Sequence, residues 1–369
     1  MGLAQGTTLQ SKIRAARQDV LSQLEAFRLQ QPKYLPYRLY RWMAEHRAGE
    51  LVARSLSRDY PAMMERLHGL AQGAGLRPST VYLLNVLEPL LSAAGDCTVC
   101  PAACSAVAVR GKRSATDEPI IARNFDYLPL VQPYYVVRES RPKGKLRALE
   151  FTTAPLAGAV DGMNEAGLCI TYNYAFTIDA PAPAAAPISM VISEALERCR
   201  TVAEAVAWIA ARPRWGGGLL MLADASGDIA SFELSSTRSE LRRPAPGEDA
   251  LFHTNAFSSP QMLAVQVPWE AVYTNRAPTA LRGRRLHESS EARDRRFQQL
   301  LGEMEVLAAD DLARVMSDHG ASGTPTDLTP CVHGAYWQTT ASLQLFPRSR
   351  RMRVAYQNAC QAQYAELAL

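Results

Sequence analysis

The chain has 369 residues, 47% of them apolar and 21% charged, and 40 Lys and Arg nearly balance 36 Asp and Glu for a net charge of +4. That length can bury a sizeable core, and that charge gives no support to a nucleic-acid or membrane-surface partner. No apolar run reaches the roughly 18 residues a membrane-spanning helix needs, and seven irregularly spaced cysteines do not form a disulfide framework.

The first hundred residues read as helical. Ile13, Val20, Leu21, Leu24 and Phe27 recur at three- and four-residue steps and predict a helix over Leu9 to Leu29. Pro32 and Pro36 interrupt before a second helix, YRLYRWMAEHRAGELVARSL. Asp59 is a candidate N-cap for a third helix that ends near Gly73 to Gly75, and Ser79-Thr80 opens a fourth, VYLLNVLEPLLSAAG. The start of the chain carries no apolar leader, so the expected compartment is the cytoplasm. Gly2 invites an acylation reading, but Gly6 stands where Ser or Thr is expected.

At Cys104 the texture changes. Ser105 to Arg110 alternates with period two, GKRSATDEP reads as a turn, and IIARNFDY returns as a second strand to make a hairpin. YYVVRE, LRALEFTT, LAGAV and LCITYNY are further strand candidates. The helix ISMVISEALERC follows, and Thr201 to Glu204 forms a capping box that opens the helix AVAWIAARP. Next come a meander with its turn at Ser226-Gly227-Asp228, the strand LFHTNAF, helices around Ser290 to Met304 and Asp310 to Met316, and a last hairpin, TTASLQLFPRSRRMRVAYQ. The Arg-rich run Leu281 to Phe297 also carries Glu288, Glu291 and Asp294 and reads as a solvated helix face. Ala180 to Pro187 reads as a surface loop. Strands in hairpin blocks separated by helix pairs predict antiparallel sheets covered by helices, a layered α+β architecture. No Gly-rich phosphate loop follows any strand, and no cofactor is implied.

Three cysteines, Cys97, Cys100 and Cys104, sit close together where the strands begin. As zinc ligands they lack a fourth neighbour in sequence. As a disulfide they would need an oxidising compartment. A third reading sets Cys104 apart as a nucleophile, because the hairpin partner of its strand carries Arg123 and Asp126. A thiol needs a nearby cation or base to react at neutral pH. Arg123 would supply the field, and Asp126 would orient the proton carrier.

The series CSAVAV, ARNFD, DGMNEAGLCITYN and HTN, in that order and spacing, resembles the N-terminal-nucleophile cysteine hydrolases. Among them are the choloylglycine hydrolases, the penicillin V acylases and, most similar in layout, the isopenicillin-N acyltransferase-like group (peptidase family C45). The resemblance runs from about Asp59 to the C-terminus. It implies an αββα four-layer sandwich and a zymogen that cuts itself before the thiol nucleophile. Here the cut would fall between Ala103 and Cys104. Residues 1–103 would become a helical small chain that stays associated, and 104–369 the catalytic domain.

By the same resemblance, Cys104 is the nucleophile, Arg123 and Asp126 match the R-N-x-D motif, and Asp126 contacts the nucleophile's amine. Asn173 lines the oxyanion region, Asn255 is an oxyanion donor, and Arg293 matches a later active-site arginine. The implied activity is hydrolysis of a linear amide of an N-acyl small molecule, with no cofactor, metal, nucleic acid or membrane. Acyl transfer to an amine, or a non-catalytic binding module, are the other readings, and a homo-oligomer is left open. Two positions depart from the family pattern: Ala103 stands where Gly is frequent, and Val332 where Arg is frequent in a late D-H…C-R-H segment. His319 and His333, in that segment, read as structural.

Overall fold

Prolines and glycines punctuate the helical front where the chain has to turn. The structure, a computed structural model, describes residues 1–92, 103–179 and 185–369; nothing is described of the side chains of residues 53–55. Cys97, Cys100 and most of the Ala/Pro loop lie outside the described residues. Six helices open the chain: α1 (Gly2–Thr8), α2 (Gln10–Gln23), α3 (Glu25–Leu29), α4 (Tyr37–Asp59), α5 (Pro61–Ala74) and α6 (Pro78–Ser92). The expected third helix starts on Pro61, whose missing N–H costs nothing in a first turn. Asp59 is therefore no N-cap; it ends α4 and pairs with Arg58 at 2.8 Å. Gly75 closes α5 at φ +62, a left-handed conformation that favours glycine.

α1 and α5 touch through glycines. A Cβ on Gly6 would lie 2.6 Å from the Leu70 carbonyl oxygen, and one on Gly73 would lie 2.5 Å from that of Leu3. Only hydrogen side chains let these two backbones approach so closely.

Beyond the helical front come β1 (Ala103–Val109), β2 (Ile120–Tyr127), β3 (Tyr135–Ser140), β4 (Ala148–Thr153), β5 (Asp161–Asn164), β6 (Cys169–Ala175) and β7 (Ala186–Pro187). Helices α7 (Ile188–Leu196) and α8 (Val202–Ala210) precede β8 (Arg214–Trp215), β9 (Gly217–Ala223), β10 (Ile229–Leu234), β11 (Ser239–Arg242) and β12 (Ala250–His253). The chain ends with α9 (Pro260–Leu263), α10 (Glu288–Gly302), α11 (Ala309–Met316), β13 (Gln338–Phe346), β14 (Arg351–Ala355) and β15 (Ala365–Ala368). The expected strand LAGAV is instead a turn that leads into β5, and β15 is an edge strand the sequence did not announce.

Two antiparallel sheets form, one in the order β12-β1-β2-β13-β14-β15 and one in the order β11-β10-β9-β6-β5-β4-β3. They face each other through β1, β2, β6 and β9; α7 and α8 cover the second sheet, and α10 and α11 cover the first. The result is the expected four-layer sandwich, with the helical front packed onto it. Thr201 caps α8 by accepting the Glu204 N–H at 3.2 Å. Among the described residues, no helix is long and apolar enough to cross a membrane.

The parity of β1 positions the site. Cys104, Ala106 and Ala108 join the core between the sheets, while Val107 and Val109 pack with Phe297, Leu312 and Val315 of the helix layer. Both faces of the strand are thus buried, and small residues fill the face where the sheets come closest.

Candidate active site

Cys104 is the second residue of β1 and is 1% exposed. The hairpin register sets Cys104 opposite Phe125 and Ala106 opposite Arg123. Arg123 therefore lies one step along the same face, and its Nη2 donates to the Cys104 Sγ at 3.4 Å. The guanidinium also donates to the Tyr172 carbonyl and pairs through Nε with Asp161 at 2.9 Å. All of these groups are buried.

Arg123 and Asp126 do not pair with each other. Three positions apart on one strand, they point to opposite faces. Asp126 instead faces the helix layer, where the Thr339 hydroxyl donates to its Oδ1 at 2.6 Å and Arg293 Nη1 lies 3.8 Å from its Oδ2.

β12 runs antiparallel to β1 with His253 opposite Ala106. Continuing that register brings Asn255 level with Cys104, and its Oδ1 accepts the Cys104 N–H at 2.8 Å. Arg293 reaches in from α10 and donates to the Cys104 carbonyl at 2.7 Å, the Ser105 hydroxyl at 2.9 Å and Asn255 Oδ1 at 2.9 Å. Arg293 is 1% exposed, so this part of the Arg-rich run faces inward, while Arg285 pairs outside with Glu291 at 2.8 Å. Helical period explains the split: Ser289, Arg293, Phe297 and Leu300 share the inner stripe.

Asn173 sits on β6, and its Nδ2 donates to the Thr254 carbonyl at 2.9 Å, bracing the turn that presents Asn255. Asn255 Nδ2 donates to the Tyr174 carbonyl at 2.8 Å. Arg293 fixes which end of that amide is the oxygen, since a guanidinium only donates. The carbonyl end of Asn255 therefore faces the Cys104 N–H. All six sequence-predicted site residues are brought together.

Sequence reasoning gave no role to three residues that hold this set in place. Asp161 balances Arg123, Ser289 accepts Arg293 Nε at 3.0 Å, and Thr339 holds Asp126. Asp161 lies within the quoted DGMNEAGL segment, where its burial was the missing signal. Nothing local marks Ser289 or Thr339.

Burial pushes the Cys104 thiol up to about 12, against the pull of Arg123. Burial likewise holds Asp126 at about 7, opposed by Arg293, Thr339 and Arg123, and Asp161 at about 6 against Arg123. With its nitrogen still in a peptide bond, Cys104 has no base of its own and stays a thiol.

Cys104 borders a cavity of about 110 Å³. Its walls come from both parts of the chain: Val20 of α2 and Leu84 and Leu87 of α6 on one side, Phe125, Val160 and Tyr172 on the other. The lining is mainly apolar, and the Tyr172 hydroxyl donates to Glu88 at 2.7 Å at its edge.

A family model described as acyl-coenzyme A:6-aminopenicillanic acid acyl-transferase matches residues 113–353. The match takes in Arg123, Asp126, Asn173, Asn255 and Arg293, and begins beyond Cys104. A search of curated proteins finds no match. Among solved structures, a Caenorhabditis elegans ortholog of N-acylethanolamine-hydrolyzing acid amidase is 13% identical, covers 72% of this chain and 99% of its own, and gives a TM-score of 0.46. A variant of conjugated bile acid hydrolase from Clostridium perfringens is 12% identical over 72% of this chain and 97% of its own, with a TM-score of 0.44. Penicillin V acylase from Agrobacterium tumefaciens is 14% identical over 72% of this chain and 86% of its own, with a TM-score of 0.41.

Proposed function

Since the chain belongs to the acyl-coenzyme A:6-aminopenicillanic acid acyl-transferase family, we propose that it is a self-processing cysteine amidohydrolase acting on a linear amide of an N-acyl small molecule. The observation that carries this reading is the buried Cys104 thiol against Arg123, at the wall of an apolar cavity.

Processing begins with attack of Cys104 Sγ on the Ala103 carbonyl carbon. The Ala103–Cys104 C–N bond breaks, the thiol proton passes to the departing nitrogen, and a thioester remains. Water cleaves the thioester and leaves an Ala103 carboxylate, a free thiol and a free α-amine on Cys104. That amine has an ordinary pKa of about 7.7–8.0, so part of it is neutral near pH 7 and can take the thiol proton. Base and nucleophile then belong to one residue, which removes the entropy of bringing them together.

In turnover the Cys104 thiolate attacks the substrate acyl carbon. The α-ammonium returns its proton to the leaving amine, and the amine then deprotonates the water that resolves the acyl-enzyme. Asn255 and Asn173 are the proposed oxyanion donors. For Asn255 that role requires Nδ2 to exchange its Tyr174 carbonyl for the developing oxyanion, an interaction worth about 2.7–4 kcal/mol in other enzymes. The apolar lining suits a hydrocarbon acyl group, with the amine facing the Glu88 edge.

Transfer of the acyl group to an amine is the second reading, favoured by the family's own description as an acyl-transferase. It shares every step up to the acyl-enzyme and differs only in the acceptor.

Intact mass before and after a thiol-directed reagent tests processing and nucleophile together. The expected result is two fragments, 1–103 and 104–369, with the label on Cys104, and loss of both in Cys104→Ala. A labelled acyl donor offered with and without candidate amines then separates hydrolysis from transfer. Activity that persists in Cys104→Ala would overturn both readings, and a stable single chain with an unreactive Cys104 thiol and no turnover would favour a binding module.

A further inference from the structure

We infer that His319, Cys331, His333 and Cys360 form a structural zinc site that clips three C-terminal segments together behind the Cys104 site. Their ligand atoms all lie within 4.8 Å of one another. Cys331 Sγ is 3.3 Å from His333 Nε2, and Cys360 Sγ is 3.6 Å from the same nitrogen. A tetrahedral zinc with bonds of about 2.3 Å to sulfur and 2.0–2.1 Å to nitrogen sets S···N edges of about 3.6 Å and S···S edges of about 3.8 Å. Both S···N distances lie within about 0.3 Å of that edge, and every separation in the set lies within about 1 Å of the widest edge.

The neighbouring groups leave these donors available. His319 Nε2 is buried and has no hydrogen-bond partner among the described residues, and its ring stands edge-on to that of His333 at 5.2 Å. Two sulfurs and two imidazole nitrogens are the donor set of a closed structural zinc site, and the softness of thiolate disfavours magnesium and calcium. The site is distinct from the Cys97–Cys104 grouping that the sequence draws attention to.

The ligands come from separate pieces of chain. His319 follows α11, Cys331 and His333 flank Val332, and Cys360 lies in a short turn after β14. Backbone bonds already gather them, with Cys331 N–H donating to the Asp318 carbonyl at 3.1 Å and His333 N–H to that of Thr326 at 2.8 Å. Val332, held between two ligands, donates its N–H to Thr339 Oγ1 at 2.8 Å, and that hydroxyl donates to Asp126. Asn124 on the same strand donates to the Met316 and Pro330 carbonyls at 2.7 and 2.9 Å. A metal here would fix the loop on which the Asp126 carboxylate leans.

Metal analysis of the full chain, purified under reducing conditions without chelator, tests the inference. The expected result is about one zinc per chain, falling at least tenfold in Cys360→Ser and in His319→Gln. Cys360 is exposed, so its serine variant should fold even if the histidine variant does not. Cobalt substituted into the wild-type chain should show tetrahedral ligand-field bands with thiolate charge transfer, and both should vanish in Cys360→Ser. Three results would overturn the inference: no bound metal and no zinc uptake on titration; a mass two hydrogens lower that maps to a Cys331–Cys360 disulfide; or zinc that survives Cys360→Ser and is lost in Cys97→Ser.

Discussion

Arg123 is buried and donates to the Sγ of the proposed nucleophile, and replacing it separates its electrostatic role from its structural one. At 3.4 Å a unit positive charge stabilises a thiolate by about 5 kcal/mol at an effective dielectric of 20. Asp161, paired with the same guanidinium, cancels roughly half, leaving about 2–3 kcal/mol, or about two pKa units. A thiolate of higher pKa is also a better nucleophile, with a Brønsted slope of about 0.4–0.5, so the net loss in reaction rate at fixed pH is about tenfold. Arg123→Met alone would strand the Asp161 carboxylate in the core at a cost of about 3–5 kcal/mol, which threatens the fold. The informative protein is therefore Arg123→Met with Asp161→Asn. Asparagine keeps an oxygen for the Tyr172 N–H, which Asp161 now accepts at 3.1 Å, and carries no charge. The assay is alkylation of Cys104 at pH 8, located by peptide mass and paired with a thermal melt. The double variant should melt near the wild-type temperature and react about tenfold more slowly, with slower self-cleavage. Alkylation within about twofold of wild type in a folded double variant would refute the claim that Arg123 sets thiol reactivity.

Asp126 gives a pH test. Because burial holds it at about 7, above its usual value near 4, the folded chain binds its proton more tightly than the unfolded chain does. Its contribution to stability is present in full below about pH 4 and is lost as pH rises through about 7, so Asp126→Asn should flatten the fall in melting temperature over that range. Asp161 acts with the same sign and leaves a residual slope; a slope equal to wild type would refute the assignment. Leu87→Phe should narrow the cavity and raise KM for long-chain acyl donors about tenfold while sparing short ones; equal effects on both would show that the cavity does not seat the acyl chain. Gly73→Leu puts a side chain against the backbone of α1 and should cost at least about 1–3 kcal/mol, read as a lower melting temperature and, in cleaved protein, as easier loss of the 1–103 fragment on gel filtration.

What the sequence made legible was local. The hairpin at Cys104 follows from period-two patterning around one polar turn, and its register alone delivers Arg123 to the thiol. The pairing of charges was not legible. Arg123 and Asp126 look like partners in ARNFD, but strand parity sends one to the sheet interface and the other to the helix layer, where each meets an acid or base distant in sequence. The Arg-rich run misled in the same way, since its composition reads as solvated and only the inner stripe of α10 shows Arg293 to be buried. His319 and His333 read only as structural, because Cys360, which completes the cluster, lies 27 residues beyond His333 and nothing in the sequence joins it to the Cys331-Val332-His333 step. Three cysteines close in sequence did draw attention, and of them only Cys104 lies among the described residues.

The helical front is best understood as half of the proposed binding site. Its core residues are continuous with those of the sandwich, and α2 and α6 line the cavity that Cys104 borders. Polar ties cross the same junction: Arg66 of α5 pairs with Glu150 at 3.1 Å and Glu197 at 3.4 Å, all three buried. Asn85 of α6 accepts the Ala157 N–H at 2.8 Å and donates to the Pro155 carbonyl at 2.9 Å. Separating the two parts would break the Arg66 pairs and the Asn85 hydrogen bonds, although Glu150 keeps Arg138 and Glu197 keeps Lys145, and would expose the apolar wall of the cavity. Cleavage of one peptide bond at Ala103 supplies nothing against that cost beyond the freedom of two new chain ends. A cut at this position would therefore change the chemistry of the Cys104 nitrogen while leaving the cavity intact, and the choice of acyl group would rest as much on Leu84 and Leu87 as on the residues around the thiol.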